Sequence, residues 1–156
     1  MAKKTICIDF DGVLADYSEG YQGKDVFGEM IPNADIATQV LKNNGWTIIV
    51  WTTRPVTDAL KDWLKENKIS YDYINENPDQ PKDTSEKLMA DIYLDDRAMT
   101  FHGVWNEWTV RNIAEFTPVC IEKKKEKSAM EAAYKEGDIW KRGNEKRIKM
   151  GSSSLK

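Results

Sequence analysis

The stretch TICIDFDGV at residues 5–13 decides the fold of this chain, because a short apolar run in it ends abruptly in Asp9 and Asp11. The residues before Asp9 are typical of a short buried strand. A second run, WTIIVW at residues 46–51, consists of β-branched and aromatic residues and is followed by the polar sequence TTR. Such continuous apolarity is typical of strands that are buried on both faces, as in a parallel sheet.

The rest of the chain alternates between helical and strand patterns. We predict strands at 4–10, 46–51, 71–74, 90–94 and 100–104, and helices at about 34–43, 55–67 and 106–116. Asn33 is expected to cap the first helix, and Pro55 is expected in the first turn of the second. Strands that alternate with helices through right-handed crossovers predict an α/β fold. It would be a Rossmann-like, doubly wound and mostly parallel sheet with helices on both faces.

Size and composition indicate a folded globular protein. The 156 residues, 40% hydrophobic and 31% charged, correspond to one ordinary domain. No apolar run approaches the roughly 20 residues of a membrane-spanning helix, and the N-terminus lacks a signal-peptide pattern. Two distant cysteines, Cys7 and Cys120, provide neither a disulfide framework nor a zinc cluster. We therefore expect a cytoplasmic protein with no membrane partner.

The charges are unevenly distributed along the chain. Residues 1–120 hold 12 Lys and Arg against 20 Asp and Glu, whereas residues 121–156 hold 11 against 6. This predicts an acidic body and a basic C-terminal extension, which is helical or partly disordered, with disorder expected at GSSS, residues 151–154. The extension is interpreted as a solvated charged helix or as a contact for a polyanion. The acidic body argues against a nucleic acid as the main partner.

Polar side chains follow three of the predicted strands. The segments are DFDG at 9–12, TTR at 52–54 and DDR at 95–97. Ligands of open parallel sheets bind at the carboxyl ends of the strands, so these segments predict one site. Four carboxylates in one crevice require a cation, and hard oxygen ligands suit Mg²⁺, which usually also holds a phosphate. One of Asp9 and Asp11 would attack phosphorus and the other would transfer protons, and the residues alone do not rank them.

Four motifs in this order resemble the haloacid dehalogenase (HAD) superfamily of phosphohydrolases. DFDGV at 9–13 is similar to motif I, WTTRP at 51–55 to motif II, Lys87 to motif III and YLDDR at 93–97 to motif IV. The resemblance covers about residues 3–100, and KLMADIYLDDRA at 87–98 is most similar to the 5′(3′)-deoxyribonucleotidase-like branch. It implies that residues 1–120 form a HAD-like catalytic domain.

The resemblance also implies a role for each acidic residue. Asp9 would be the nucleophile and a metal ligand. Asp11 would be the general acid and base, and its backbone carbonyl would bind Mg²⁺. Asp95 would bind the metal directly. Asp96 would bind it through water, or would orient Lys87.

The remaining assignments carry alternatives. By resemblance, Thr52 would hydrogen-bond the phosphoryl group, and Lys87 would neutralise its charge and steady Asp9. Thr53 is the alternative to Thr52, because a shift of one residue moves a side chain to the other face of a strand. Lys82 is the alternative to Lys87. Arg54 is interpreted either as a substrate-binding residue or as part of a surface salt bridge.

The spacing of the motifs leaves no room for a cap domain. Only 40 residues separate Asp11 from Thr52, and only 32 separate Arg54 from Lys87. We therefore predict a capless protein with an open site. The loop at 13–31 is the expected flap over that site, and it carries Tyr17, Tyr21 and Phe27.

These observations predict a Mg²⁺-dependent phosphomonoesterase that works through an aspartyl-phosphate. Its expected partner is a small phosphorylated substrate, with nucleotides, sugar phosphates and phosphorylated nucleic-acid ends as the candidates. Transfer of the phosphoryl group to an acceptor other than water also fits the motifs. The competing hypothesis is a non-catalytic metal-binding regulatory module whose basic tail binds a partner. A homo-oligomer is compatible with either function.

Overall fold

Four strands form one parallel sheet with the order β3-β2-β1-β4 in the computed structural model of the protein, which describes residues 4–135. The strands are β1 (Thr5–Asp9), β2 (Thr47–Trp51), β3 (Tyr73–Ile74) and β4 (Ile92–Leu94). The helices are α1 (Ala34–Asn43), α2 (Asp58–Glu66), α3 (Glu107–Glu115) and α4 (Val119–Lys135). The predicted α/β, Rossmann-like fold class is confirmed.

The order of the strands determines where a ligand crevice forms. Strand β1 pairs with β2 on one side, Ile8 opposite Val50, and with β4 on the other, Ile8 opposite Leu94. The chain runs from β1 outward through β2 to β3 and then returns to the far side of β1. Such a reversal opens a crevice at the carboxyl ends of the two strands concerned. Asp9, the last residue of β1, and Asp95, directly after β4, therefore lie at the same edge.

The main hydrophobic core lies between one face of the sheet and the first two helices. Ile8 and Val50 are buried together with Leu60 and Leu64 of α2 and Ala34 of α1. Both crossovers run in the same direction along the sheet, so right-handed connections place α1 and α2 on the same face. This core fixes β1 and β2, and therefore the position of the polar residues that follow them.

A loop residue packs against the opposite face of the sheet. Cys7 of β1 and Ile49 of β2 are fully buried and contact Leu88. Leu88 belongs to the segment between β3 and β4, which crosses to this face because the chain reverses direction there. Burial raises the pKa of Cys7 to about 11, so the thiol stays protonated and behaves as a small core residue. The connections after β1 and after β2 contain no cap domain within the described residues.

The predicted start of α2 and the predicted cap of α1 differ from the structure. The second helix begins at Asp58, because the side chain of Thr57 accepts a hydrogen bond from the backbone N–H of Leu60 at 3.3 Å. Pro55 therefore precedes the helix. Asn33 precedes α1 as predicted, but it has the left-handed φ of 68° and its side chain makes no capping hydrogen bond.

The predicted strand at 100–104 is wrong, because these residues form a loop. Gly103 has a φ of 84°, which is outside the extended region that a strand requires. Phe101 and Val104 are more than half exposed. The apolar residues that suggested a strand therefore do not belong to the sheet.

The chain divides into two compact units, residues 1–120 and residues 121–156. Residues 136–156, with the GSSS segment that we predict to be disordered, lie outside the described residues. No helix among the described residues has the length and apolarity that a membrane span requires.

Candidate active site

The polar segments after β1, β2 and β4 meet at one cavity of about 420 Å³. Its lining consists of Asp9, Asp11, Tyr17, Trp51, Thr52, Thr53, Asp95 and Arg97. These residues come from three strand ends and from the loop at 13–31, and the parallel strands bring them to the same edge of the sheet. The cavity is therefore the place where most of the predicted site residues come together.

Three carboxylates form a compact cluster at this cavity. Asp9, Asp95 and Asp96 each offer one oxygen, and these oxygens lie within 4.8 Å of one another. The side chain of Asp96 is only 3% exposed, and within the described residues neither of its oxygens has a hydrogen-bond partner. Arg97 lies beside it with Nε 4.0 Å from Oδ1. A buried carboxylate without hydrogen bonds is costly, and a cation offsets that cost, so the donor set fits Mg²⁺.

The surroundings of Asp9 disfavour its negative charge. Burial, the largest cause, and the charges of Asp95, Asp11 and Asp96 together raise the pKa of Asp9 to about 7, against a hydrogen bond from the backbone N–H of Phe10 that lowers it. That N–H donates to Oδ1 at 2.7 Å. A cation among these carboxylates would favour the ionised form, because an opposite charge at close range stabilises a carboxylate.

The carboxylate of Asp11 is not part of this cluster of three. Asp11 lines the cavity, but its Oδ2 accepts a hydrogen bond from Nε of Arg54 at 2.7 Å. The guanidinium compensates the charge of Asp11. Among the carboxylates at residues 4–135, those of Asp9, Asp95 and Asp96 are close enough together to share a cation.

Arg54 is buried, so the interpretation as a surface salt bridge is wrong. Its side chain is 3% exposed, and it donates to Oδ2 of Asp11 and, at 2.8 Å, to the backbone oxygen of Gly23. Arg54 is not among the residues that line the cavity of the acidic cluster. The structure therefore places it behind Asp11, next to the loop at 13–31.

Both candidate threonines line the cavity. Thr52 is 7% exposed and its Oγ1 accepts a hydrogen bond from the backbone N–H of Arg54 at 3.1 Å, whereas Thr53 is exposed. The side-chain amide of Asn75 makes two hydrogen bonds of 2.8 Å with the backbone of Thr52. Its Oδ1 accepts from the N–H of Thr52, and its Nδ2 donates to the backbone oxygen of Thr52. Sequence reasoning missed Asn75, although an Asn directly after a strand tolerates the left-handed φ of 54° that it adopts.

The structure does not bring the candidate lysines to the cavity. Lys82 and Lys87 are both exposed in the segment between β3 and β4. The ammonium of Lys87 lies over the ring of Tyr93, 5.4 Å from its centroid. The ring of Tyr93 packs in turn on Trp51, which lines the cavity, at 5.5 Å between centroids. The rings of Tyr93 and Trp51 therefore lie between Lys87 and the cavity. The assignment of Lys87 stays a prediction.

Gly12 is a further residue that the site requires. Its φ is 88°, and an added Cβ would lie 2.7 Å from Cγ of Asp96. Only glycine combines this backbone conformation with such a close approach. The backbone after Asp11 thus packs directly on the buried carboxylate of Asp96.

The donor set predicts that Mg²⁺ stabilises the protein, and Gly12→Ala is expected to lose this predicted stabilisation because the methyl group displaces Asp96 from the cluster. The melting temperature with and without Mg²⁺ measures this effect. Gly45→Ala is the matched control, since Gly45 has a φ of 80° but no atom within 4 Å of an added Cβ. Both variants are expected to lose about 1–2 kcal/mol through backbone strain, but only Gly45→Ala should keep its response to Mg²⁺. An equal response in both would show that Gly12 does not support the site.

Comparisons with known proteins give one structural match. No protein-family model and no curated protein sequence matches the chain. A solved structure, of a conserved protein from Bacteroides thetaiotaomicron, is 26% identical and aligns with 72% of this chain and 91% of its own, at a TM-score of 0.49. The description of that protein names no activity. Function is therefore inferred from the residues of the site and their geometry.

Proposed function

We propose that this chain is a HAD-type, Mg²⁺-dependent phosphomonoesterase that forms an aspartyl-phosphate on Asp9. The observation that carries this proposal is Asp96, a buried carboxylate whose two oxygens have no hydrogen-bond partner among the described residues, next to Asp9 and Asp95 at the ends of neighbouring strands. A cluster of this kind needs a cation. Its position beside hydroxyl groups in an open cavity suits a phosphate ester as the second ligand of that cation.

The metal would be held by Asp9, Asp95 and Asp96, together with the backbone carbonyl of Asp11 that the resemblance implies. When bound, Mg²⁺ supplies positive charge that stabilises the phosphoryl group during transfer. Its charge would also keep Asp9 ionised at neutral pH, which the attack on phosphorus requires. A cytoplasmic location belongs to the same proposal.

The reaction takes place in two steps, and both are substitutions at the phosphorus atom. A carboxylate oxygen of Asp9 attacks phosphorus, the ester O–P bond breaks, and Asp11 gives its proton to the departing oxygen. Asp11 then takes a proton from water, whose oxygen attacks the same phosphorus. The bond between Asp9 and phosphorus breaks, and inorganic phosphate leaves. The hydroxyl of Thr52 or Thr53 donates a hydrogen bond to the phosphoryl group in both steps.

The test is phosphate release with and without Mg²⁺ on a panel of esters. The panel contains nucleoside 5′- and 3′-monophosphates, sugar phosphates, a 3′-phosphorylated oligonucleotide and an aryl phosphate. Mg²⁺-dependent release is the expected result, and the preferred ester identifies the substrate class. Mg²⁺ binding without release from any ester would favour the non-catalytic metal-binding module instead.

Lys87 is expected to act on the phosphoryl group, whereas Lys82 is expected to be a solvated loop residue. If Lys87 reaches the phosphoryl group of a bound ester, as the resemblance implies, Lys87→Ala should lower kcat about 10²-fold through loss of its positive charge. Lys82→Ala is the control, since both side chains are exposed in the same segment. The kcat of both variants with the best ester from the panel measures the difference. The reverse order of effects would assign the role to Lys82.

A further inference from the structure

Arg54 contacts Asp11 and the loop at 13–31, both of which are far from it in sequence. Nε holds Oδ2 of Asp11 at 2.7 Å, and Nη1 donates to the backbone oxygen of Gly23 at 2.8 Å. The guanidinium carbon lies 5.1 Å from the ring centroids of both Tyr21 and Phe27. One buried side chain thus contacts both the carboxylate of Asp11 and the middle of the loop at 13–31.

The loop at 13–31 is closed at its base by backbone hydrogen bonds. The N–H of Asp16 donates to the oxygen of Glu29 at 2.7 Å, and that of Ile31 to the oxygen of Leu14 at 2.8 Å. The middle of the loop has local backbone hydrogen bonds, such as the one of 3.0 Å from the N–H of Gly20 to the oxygen of Tyr17. Side chains attach it to the rest of the protein, among them Arg54 and a hydrogen bond of 2.8 Å from Thr57 to Asp25. Loss of Arg54 would therefore free the middle of the loop while its base stays paired.

Arg54 also determines which oxygen of Asp11 is available. Oδ2 is engaged by the guanidinium, whereas Oδ1 is buried and has no hydrogen-bond partner among the described residues. Nε–H and Nη1–H of the planar guanidinium hold Asp11 and Gly23 at the same time in a fixed relative geometry, whereas the ammonium of a lysine is a point charge on a flexible stem and fixes no such geometry. The carboxylate is therefore fixed in one orientation, with Oδ1 as the oxygen that the guanidinium does not hold.

We propose that Arg54 is a positioning residue, which orients Asp11 for proton transfer and makes that orientation depend on the ordered loop at 13–31. This inference rests on the proposed function, in which Asp11 is the general acid and base. It replaces the interpretation of Arg54 as a substrate-binding residue. Arg54 acts through Asp11 and does not touch the phosphate ester.

The kinetic test compares two esters in Arg54→Gln and Arg54→Lys. The kcat/KM for an alkyl phosphate, whose leaving group needs a proton, should fall about 10²-fold or more in Arg54→Gln. The value for p-nitrophenyl phosphate, whose leaving group departs without one, should fall less than about 10-fold. Arg54→Lys should show the same selectivity with smaller losses. An equal loss for both esters would overturn the proposal and assign Arg54 to substrate binding.

A double variant separates positioning from an independent role. If Arg54 acts through Asp11, Arg54→Gln should add little to the loss that Asp11→Asn causes alone. Losses that multiply would contradict the proposal. Lys42→Ala is the control for removal of an ion pair. Nζ of Lys42 lies 2.5 Å from Oδ1 of Asp72, and neither residue lines the cavity. This variant should leave kcat/KM for both esters unchanged.

The coupling to the loop has a readout that needs no activity. Lys24 is an exposed trypsin site in the middle of the loop, with a side chain that is 67% exposed. Cleavage after Lys24, followed by mass spectrometry, should be about 10-fold faster in Arg54→Gln and in Asp11→Asn than in the wild type or in Lys42→Ala. Unchanged cleavage in Arg54→Gln would overturn the coupling. A wild type that hydrolyses no ester would refute the proposed function, and this readout would still decide whether Arg54 joins Asp11 to the loop.

Discussion

The variant Asp9→Asn is expected to lose at least about 10³-fold in kcat while it keeps its fold, a loss typical of removing a nucleophile. The amide of Asn cannot form an acyl phosphate, whereas it has nearly the size of the carboxylate that it replaces. The measurement is Mg²⁺-dependent phosphate release with the best ester, with circular dichroism and the melting temperature as the checks on folding.

Asp62→Asn is the matched control for this change. Asp62 lies on α2, is exposed and is not among the residues that line the cavity. The same chemical substitution there should leave phosphate release within twofold of the wild type, roughly the scatter expected of a surface change. Activity of Asp9→Asn within about tenfold of the wild type would exclude Asp9 as the nucleophile and would direct attention to Asp11.

The metal-free protein is expected to become less stable as the pH rises from about 4 to about 7. The pKa of Asp9 is raised from 3.8 to about 7 in the folded state, so within this window the folded state binds more protons than the unfolded state. Stability falls with pH wherever the folded state binds more protons. The contribution of Asp9 is therefore fully present below pH of about 4 and lost above pH of about 7, and the loss is on the order of 2–4 kcal/mol.

Denaturant unfolding in the presence of a chelator, at several pH values, measures this decline. Asp9→Asn has no carboxyl group to titrate, so its free energy of unfolding should decline less with pH than that of the wild type. At pH about 8 the metal-free variant should be the more stable protein, because it lacks the repelled charge. Parallel pH profiles for the two proteins would refute the raised pKa of Asp9.

With added Mg²⁺, the wild type should be more stable than Asp9→Asn at pH about 8. Binding to the folded state alone stabilises it by about 2.7 kcal/mol at a concentration of 100 times Kd. At pH about 5 the stabilisation of the wild type should be smaller, because the metal must displace the proton of Asp9. Equal stabilisation of wild type and Asp9→Asn by Mg²⁺ would exclude Asp9 as a ligand.

Much of the fold was predictable from local patterns. The bounds of α1 agree with the prediction, because the apolar period ends at Asn44 and Gly45. The meeting of Asp9 with Asp95 and Asp96 was predictable as well, since the carboxyl ends of parallel strands share an edge. The start of α2 was not predictable, because Pro55 and the capping residue Thr57 are both normal helix starts and the sequence alone does not rank them.

The contacts that sequence reasoning missed join residues far apart along the chain. Arg54 and Asp11 are 43 residues apart, and Thr52 and Asn75 are 23 apart. No local period or spacing indicates such pairs. The burial of Asp96 against Gly12 belongs to the same class, because it depends on how closely two strand ends approach each other.

The strand order also determines when during folding the acidic cluster forms. Strand β1 must pair with β4 across most of the described chain, as in the hydrogen bond from Thr5 to Asp91, which spans 86 residues. Pairings of such long range close the largest loops and are entropically the most demanding. Asp9 and Asp95 are therefore expected to approach each other late, after the local pairing of β1 with β2, and the proposed Mg²⁺ would gain its full set of ligands only then. Interactions that form after the transition state slow unfolding and leave the folding rate almost unchanged. We therefore expect Mg²⁺ to slow the unfolding of the protein.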